Sequence, residues 1–145
     1  MVSKILGIDY GRKRIGLALA DSLLRIAVPR GTLAPKSRQD AMKSLCALVS
    51  SEHVEKIVMG LPLTLDRDDT KQTGPVFAFA KALNEKTGLS VVFQDERFTS
   101  IEAKQLLAPL LPKDRDIDGV SAQIILQTYL DTKRAGHFPF VLPPH

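Results

Sequence analysis

The sequence predicts an α/β domain: a mixed five-stranded sheet, three antiparallel strands then two parallel ones, with helices on both faces. Three observations predict it. Two apolar runs near the start, Ile5–Ile8 and Ile15–Ala20, flank the turn Gly11-Arg12-Lys13-Arg14, the pattern of a β-hairpin. From residue 38 onward, helical periodicity alternates with short β-type runs, the order expected of crossover connections. The length of 145 residues with 44% hydrophobic content suits one domain with a real core. That domain is expected to span 1–136, followed by an irregular, proline-rich tail over 137–145.

Taken in order, the hairpin is followed by a third strand, Ala27–Leu33, in which Pro29 marks an edge position. Ser37-Arg38-Gln39-Asp40 resembles a capping box and opens a helix over 38–51, with Met42, Leu45, Leu48 and Val49 at helical spacing. Lys56–Gly60 reads as a buried strand. The polar stretch 64–73 carries Asp66, Asp68 and Asp69; it lacks the spacing and closing Glu of an EF-hand and reads as a solvated loop. Thr73-Gly74-Pro75 opens the next helix, since proline suits the first helical position, and Gly88 stops it. Leu89–Gln94 is the fifth strand. Thr99-Ser100-Ile101-Glu102 caps a further helix that Pro109 and Pro112 break, and a last helix runs over 118–135 until Gly136.

Composition narrows the function classes. The apolar runs are far shorter than a membrane span, and the chain enters its first strand too soon for a signal peptide. A single cysteine, Cys46, builds neither a disulfide framework nor a thiolate metal cage and reads as a small buried apolar residue. A cytoplasmic protein is expected. The net charge of +4 is uneven: residues 1–43 carry nine basic and three acidic residues, which suits a polyanionic partner as well as an ordinary basic surface.

Three carboxylates stand at element ends. Asp9 closes the first strand, Glu96 (with Asp95 beside it) follows the fifth, and Asp118 opens the last helix. Strands one, four and five share an orientation in this arrangement, and open α/β sheets place their sites at the carboxyl ends of strands. Converging carboxylates repel unless divalent cations relieve them, and hard oxygen donors suit Mg²⁺ or Mn²⁺. Two such ions about 4 Å apart serve phosphodiester cleavage. Structural readings stand beside this one: Asp9 as a turn cap or a partner of Arg12 or Arg14, Asp95 and Glu96 as partners of Arg97, and Asp118 as a helix N-cap. Tyr10, Arg12, Lys13 and Arg14 could hold phosphates, and Thr99 and Ser100 cap a helix whose N–H groups could bind an anion. Gly7 and Gly16 permit a close approach to the backbone.

Four blocks carry a resemblance: Gly7-Ile8-Asp9-Tyr10-Gly11-Arg12-Lys13-Arg14-Ile15-Gly16-Leu17-Ala18; Gly60-Leu61-Pro62-Leu63; Asp95-Glu96-Arg97-Phe98-Thr99-Ser100; and Asp118 with Ile124-Ile125-Leu126-Gln127-Thr128-Tyr129-Leu130-Asp131. In this order and at these intervals the chain resembles the YqgF/RuvX family of bacterial nucleases, described both as pre-16S rRNA nucleases and as Holliday junction resolvases. The resemblance implies an RNase H-like fold and a metal-dependent endonuclease of structured nucleic acid, precursor rRNA or branched DNA. Asp9, Glu96 and Asp118 would hold Mg²⁺ or Mn²⁺, with Asp95 as a substitute for Glu96. Arg97 would position Glu96 or contact phosphate, and Arg12 to Arg14 would contact the nucleic-acid backbone. Paired cuts on a junction would suggest a homodimer.

The chain departs from the family at two places. Asp66-Arg67-Asp68-Asp69 replaces an Asp-Gly turn, and Gly119 stands where helix formers are usual. Two other function classes remain open at this stage. A non-catalytic nucleic-acid-binding factor of ribosome assembly or transcription would use the same basic front half. The first hairpin also looks like the phosphate loop of actin-like ATPases, but those enclose a nucleotide between two lobes.

Overall fold

The computed structural model describes residues 2–11, 13–61, 70–95, 117–132 and 141–144, with positions 70–73, 117, 118 and 132 described through their backbone alone. Strands β1 (Lys4–Tyr10), β2 (Ile15–Asp21) and β3 (Ala27–Leu33) form an antiparallel meander. Helix α1 (Arg38–Ser51) leads to β4 (Val54–Leu61), and α2 (Thr70–Thr87) leads to β5 (Val91–Asp95). Helix α3 (Ile117–Thr132) and the two-residue β6 (Val141–Leu142) complete the set. The sheet order is β3-β2-β1-β4-β5-β6, with β1, β4 and β5 parallel and β6 antiparallel to β5.

The mixed sheet, with three antiparallel strands and with β1, β4 and β5 sharing an orientation, follows the sequence. Two boundaries correct it. The sheet has six strands rather than five, because Val141 and Leu142, within the tail expected to be irregular, pair with Val92 and Val91. Asn84, buried at the end of α2, donates from Nδ2 to the Leu89 and Pro143 carbonyls at 2.9 and 2.8 Å, and so ties this tail to the α2–β5 connection. Helix α2 starts at Thr70, so Pro75 lies inside it rather than at its first position. The expected helix after Thr99 and the terminator Gly136 lie outside the described residues. Cys46 is half-buried rather than buried.

Local chemistry fixes the other bounds. Ser37 Oγ accepts from Asp40 N at 3.0 Å, while Asp40 Oδ2 accepts from Lys36 N, so α1 begins at Arg38. Pro29 sits on β3, which is the sheet's edge, as its missing N–H requires. Leu17 pairs with Gly31 and Ala18 with Pro29, so Arg30 is an extra residue; the bulge rests on Gly31 at φ 110°.

The sheet separates two cores. On one face α1 and α2 cover Leu6, Ile8, Ile57, Met59, Leu61, Val91 and Phe93, with Phe79 and Leu83 of α2 buried among them. On the other, α3 covers Ile5, Ala18, Ala20 and Val58 with Ala122, Ile125, Leu126 and Leu130. Gly7 allows this second packing: a Cβ there would sit 2.7 Å from Leu126 Cβ and 3.1 Å from the Ala122 carbonyl oxygen. The close approach the sequence foresees at Gly7 is therefore made by a helix.

Candidate active site

The pairing register organises the α3 face into rows. Ala18, Gly7, Val58 and Val92 make one row. Two residues further along β1, Gly16 opposes Asp9 and Gly60 opposes Gln94; the β1–β4 register carried one step past Ile8–Met59 sets Asp9 beside Gly60. The row thus reads Gly16, Asp9, Gly60, Gln94. Asp9 is half-buried, and the residues flanking it carry no side chains. This is the carboxyl end of β1, where the hairpin turn begins. Lys13 and Arg14 stand exposed on that turn. Gly11 is required there, since a Cβ would lie 2.6 Å from the Arg14 carbonyl oxygen.

Helix α3 runs antiparallel to β1. Its later residues lie over the start of the strand: Arg25 Nη2 donates to the Leu130 carbonyl at 3.2 Å, and Lys56 Nζ lies 3.4 Å from Tyr129 Oη. Gln127 accepts from Ala27 N and donates to the Arg25 carbonyl, and Gln123 donates to the Ala27 carbonyl, which fixes the helix's rotation against β3. Ala122 lies over Gly7. One helical turn back from Ala122 is position 118, a shift of about 6 Å. Two residues on from Gly7 is Asp9, a shift of about 6.6 Å. Asp9 and the backbone of position 118 therefore fall at the same level, at one edge of the sheet.

Other candidates are separated from this group. Asp95 shares its face with Val91 and Phe93, opposes Leu61, and is only 2% exposed on the α1/α2 side. Strand parity thus puts it on the face opposite Asp9. Tyr10 is likewise turned away: its ring stacks on Phe79 with centroids 4.3 Å apart and packs against the α1/α2 core. The Tyr10 ring therefore lies on the face opposite Asp9, because alternation along β1 sends adjacent side chains to opposite faces. Arg12, Glu96, Arg97, Thr99 and Ser100 lie outside the described residues.

Two polar residues that the sequence reading passes over belong to this face. Gln94 is 8% exposed; its Nε2 lies 3.5 Å from the Asp95 carbonyl, a marginal hydrogen bond, and its Oε1 accepts none among the described residues. Ser121, three residues after position 118, is 5% exposed, and its hydroxyl forms no hydrogen bond among the described residues. The available signal was the alternation Val92, Gln94, Glu96 against Val91, Phe93, Asp95.

A family model described as "RuvX: Holliday junction resolvase" matches residues 3–132. The chain belongs to the RuvX family. Proteins of Chloroflexus aggregans and Syntrophus aciditrophicus, both named "Putative pre-16S rRNA nuclease", are similar to this RuvX chain. The first is 39% identical over 134 residues, covering 90% of this chain and 94% of the relative. The second is 40% identical over 132 residues, covering 88% of each. Among solved structures, Thermus thermophilus RuvC in complex with a Holliday junction substrate superposes with a TM-score of 0.64 at 13% identity, covering 92% of this chain and 96% of that one. The fowlpox virus Holliday junction resolvase gives 0.56 at 11%, covering 89% and 99%. At such identities the likeness is one of fold, and this RuvX chain has the RNase H-like fold. No helix among the described residues is long and apolar enough to cross a membrane.

Proposed function

We propose that this RuvX-family protein is a divalent-metal-dependent endonuclease that hydrolyses phosphodiester bonds in structured nucleic acid, with precursor 16S rRNA as its substrate in the cytoplasm. The observation that supports the reading is the placement of Asp9 at the carboxyl end of β1, level with the backbone of the start of α3 and flanked in its row by Gly16 and Gly60. The names of the relatives support the substrate.

The residues suit Mg²⁺ or Mn²⁺. Asp9 offers a hard oxygen donor on a row without neighbouring side chains, and Asp118 and Glu96 would add two more. Glu96 is preferred over Asp95, since Asp95 faces the opposite core. Bound as a pair, such ions lower the pKa of water and stabilise a departing oxygenate. The chain's own residues do the rest. Asp9, Glu96 and Asp118 concentrate negative charge where a dication is needed. Lys13 and Arg14 on the hairpin turn draw the phosphate backbone toward this edge, and Arg12 and Arg97 would add to an attraction that weakens as salt rises. Thr99 and Ser100 would cap a helix whose first N–H groups would donate to an anion. In the hydrolysis, water adds to phosphorus and the P–O3′ bond breaks, with the proton taken up by the departing 3′-oxygen.

A second reading is resolution of branched DNA. It is favoured by the family model's description and by the RuvC fold likeness, and its paired cuts would require a homodimer. A cleavage assay separates the two. A precursor 16S rRNA 5′ segment and a four-way DNA junction are each incubated with Mg²⁺, Mn²⁺ or EDTA. Metal-dependent cutting of the RNA, abolished in Asp9→Asn with nucleic-acid binding retained, is the expected result. Cutting of the junction alone would select the second reading. Binding of either substrate without cutting would overturn both in favour of a non-catalytic binding factor.

A further inference from the structure

The α3 face holds two buried polar side chains, Gln94 and Ser121, whose oxygens accept no hydrogen bond among the described residues. Gln94 ends the row that starts at Gly16 and Asp9, and only Gly60 stands between it and Asp9. Its carboxamide oxygen needs a donor, and its amide has only the 3.5 Å contact to its neighbour's carbonyl. Ser121 lies on α3, which reaches across β4 and β5 as well as β1. Gln123 and Gln127 bind β3, and Ser121 is about 200° round the helix from Gln123, hence on the flank toward β4 and β5. An apolar residue of similar shape would fill the position of Gln94 without leaving a buried acceptor unmatched. On the other face the neighbouring positions Leu61, Val91 and Phe93 are apolar.

We propose that Gln94, assisted by Ser121, is a positioning residue that accepts a hydrogen bond from a water molecule hydrating the divalent cation held at Asp9. The inference rests on the metal-dependent reading given above. Three features select this ligand. The group left without a partner among the described residues is an acceptor, so its partner must bring an O–H or N–H. At 8% exposure Gln94 is too covered to meet a nucleoside, so a partner of the size of a water is the one to look for. The one residue between Gln94 and Asp9 in the row, Gly60, has no side chain of its own, and partners beyond the ligands themselves commonly set the affinity of a metal site. Gln94 thus touches neither metal nor substrate; it orients the hydration shell through which the Asp9 site holds its cation.

The test uses the full chain without nucleic acid, so that it reads binding rather than turnover. Mn²⁺ is titrated by calorimetry into wild type, Gln94→Met and Gln94→Glu, and each protein is melted in EDTA. Gln94→Met should weaken Mn²⁺ binding about tenfold, the lower end of the usual range for such partners, while its metal-free melting temperature equals or exceeds that of wild type. A residue with a packing role only would lower the melting temperature and leave the affinity unchanged. Gln94→Glu, which keeps an acceptor oxygen in place, should bind Mn²⁺ at least as tightly as wild type, and Ser121→Ala should weaken it by a smaller factor than Gln94→Met. Equal Mn²⁺ affinity in wild type and Gln94→Met would overturn the inference while leaving the metal site standing. Absence of Mn²⁺ binding by wild type itself would instead overturn the reading on which it rests.

Discussion

The two faces of the sheet are built from the same strands and differ in almost everything else. Toward α1 and α2 the strands present Leu6, Ile8, Leu17, Ile57, Met59 and Phe93, large side chains that Phe79 and Leu83 complete. Toward α3 they present Ile5, Gly7, Ala18, Ala20 and Val58, and then the row Gly16, Asp9, Gly60, Gln94. The first face gains stability from volume. The second brings a helix close by removing volume, and beyond the helix's first turns it leaves glycines around a carboxylate. A β-strand's alternation allows this division, because one residue's step separates core from site.

Removing the largest side chain of the closed face should therefore damage stability alone. Phe79 is fully buried and stacks on Tyr10. Phe79→Ala should cost about 3–5 kcal/mol in urea unfolding. Mn²⁺ affinity measured on the folded fraction should stay within twofold of wild type. A large loss of affinity would mean that the faces are coupled through the sheet and would break the comparison.

On the open face a small change should do both kinds of damage. Gly7→Ala places a methyl 2.7 Å from Leu126 Cβ, which α3 can relieve only by moving off β1. Overpacking of this kind costs about 1–3 kcal/mol. Since the start of α3 lies level with Asp9, the proposed metal site should feel the same shift, and Mn²⁺ binding should weaken. Leu126→Ala in the Gly7→Ala background should recover part of the stability, a non-additivity that a double-mutant cycle reads directly. Unchanged affinity in Gly7→Ala would show that the seating of α3 does not set the site.

Much of this division was legible in the sequence. Pro29 and the run Ala27–Leu33 give the edge strand with its observed bounds, and Ser37 gives the start of α1. The family blocks bring Asp9 and Asp118 into one reading, and the register sets Asp9 level with the start of α3. What was less legible depends on which way a side chain faces. Tyr10 looks like a phosphate contact when read beside Asp9, yet Leu6, Ile8 and Tyr10 share one parity and Ile5, Gly7 and Asp9 the other, so its ring enters the core. Asp95 follows the same rule and falls with Val91 and Phe93. Gln94 passes for an ordinary strand residue until its burial and unmatched oxygen are seen. Two residues of β6 carry no periodicity, so only the pairing with β5 reveals them.

The opposite edge of the sheet supplies the smallest test. Lys4 opens β1 and donates from Nζ to Glu52 Oε2 at 2.6 Å, at the C-terminal end of α1, with Arg30 Nη2 3.9 Å from the other carboxylate oxygen. The Lys4 hydrogen bond, aided by the charges of Lys4 and Arg30, lowers the Glu52 carboxyl below its ordinary value of 4.5, against a smaller opposing effect of desolvation. A carboxyl depressed in the folded state stabilises it above the unfolded value, and the contribution fades as pH falls through the folded value. The stability difference between wild type and Glu52→Gln should thus be present at pH 6–7 and shrink steadily below pH 4.5, and added salt should reduce it at neutral pH, since the pair is partly exposed. Urea midpoints across that range measure it. Because Glu52 sits at the end of the sheet away from Asp9, Mn²⁺ binding and cleavage at pH 7 should be the same in both proteins. A pH-independent difference would mean that Glu52 acts through the end of α1 rather than through Lys4.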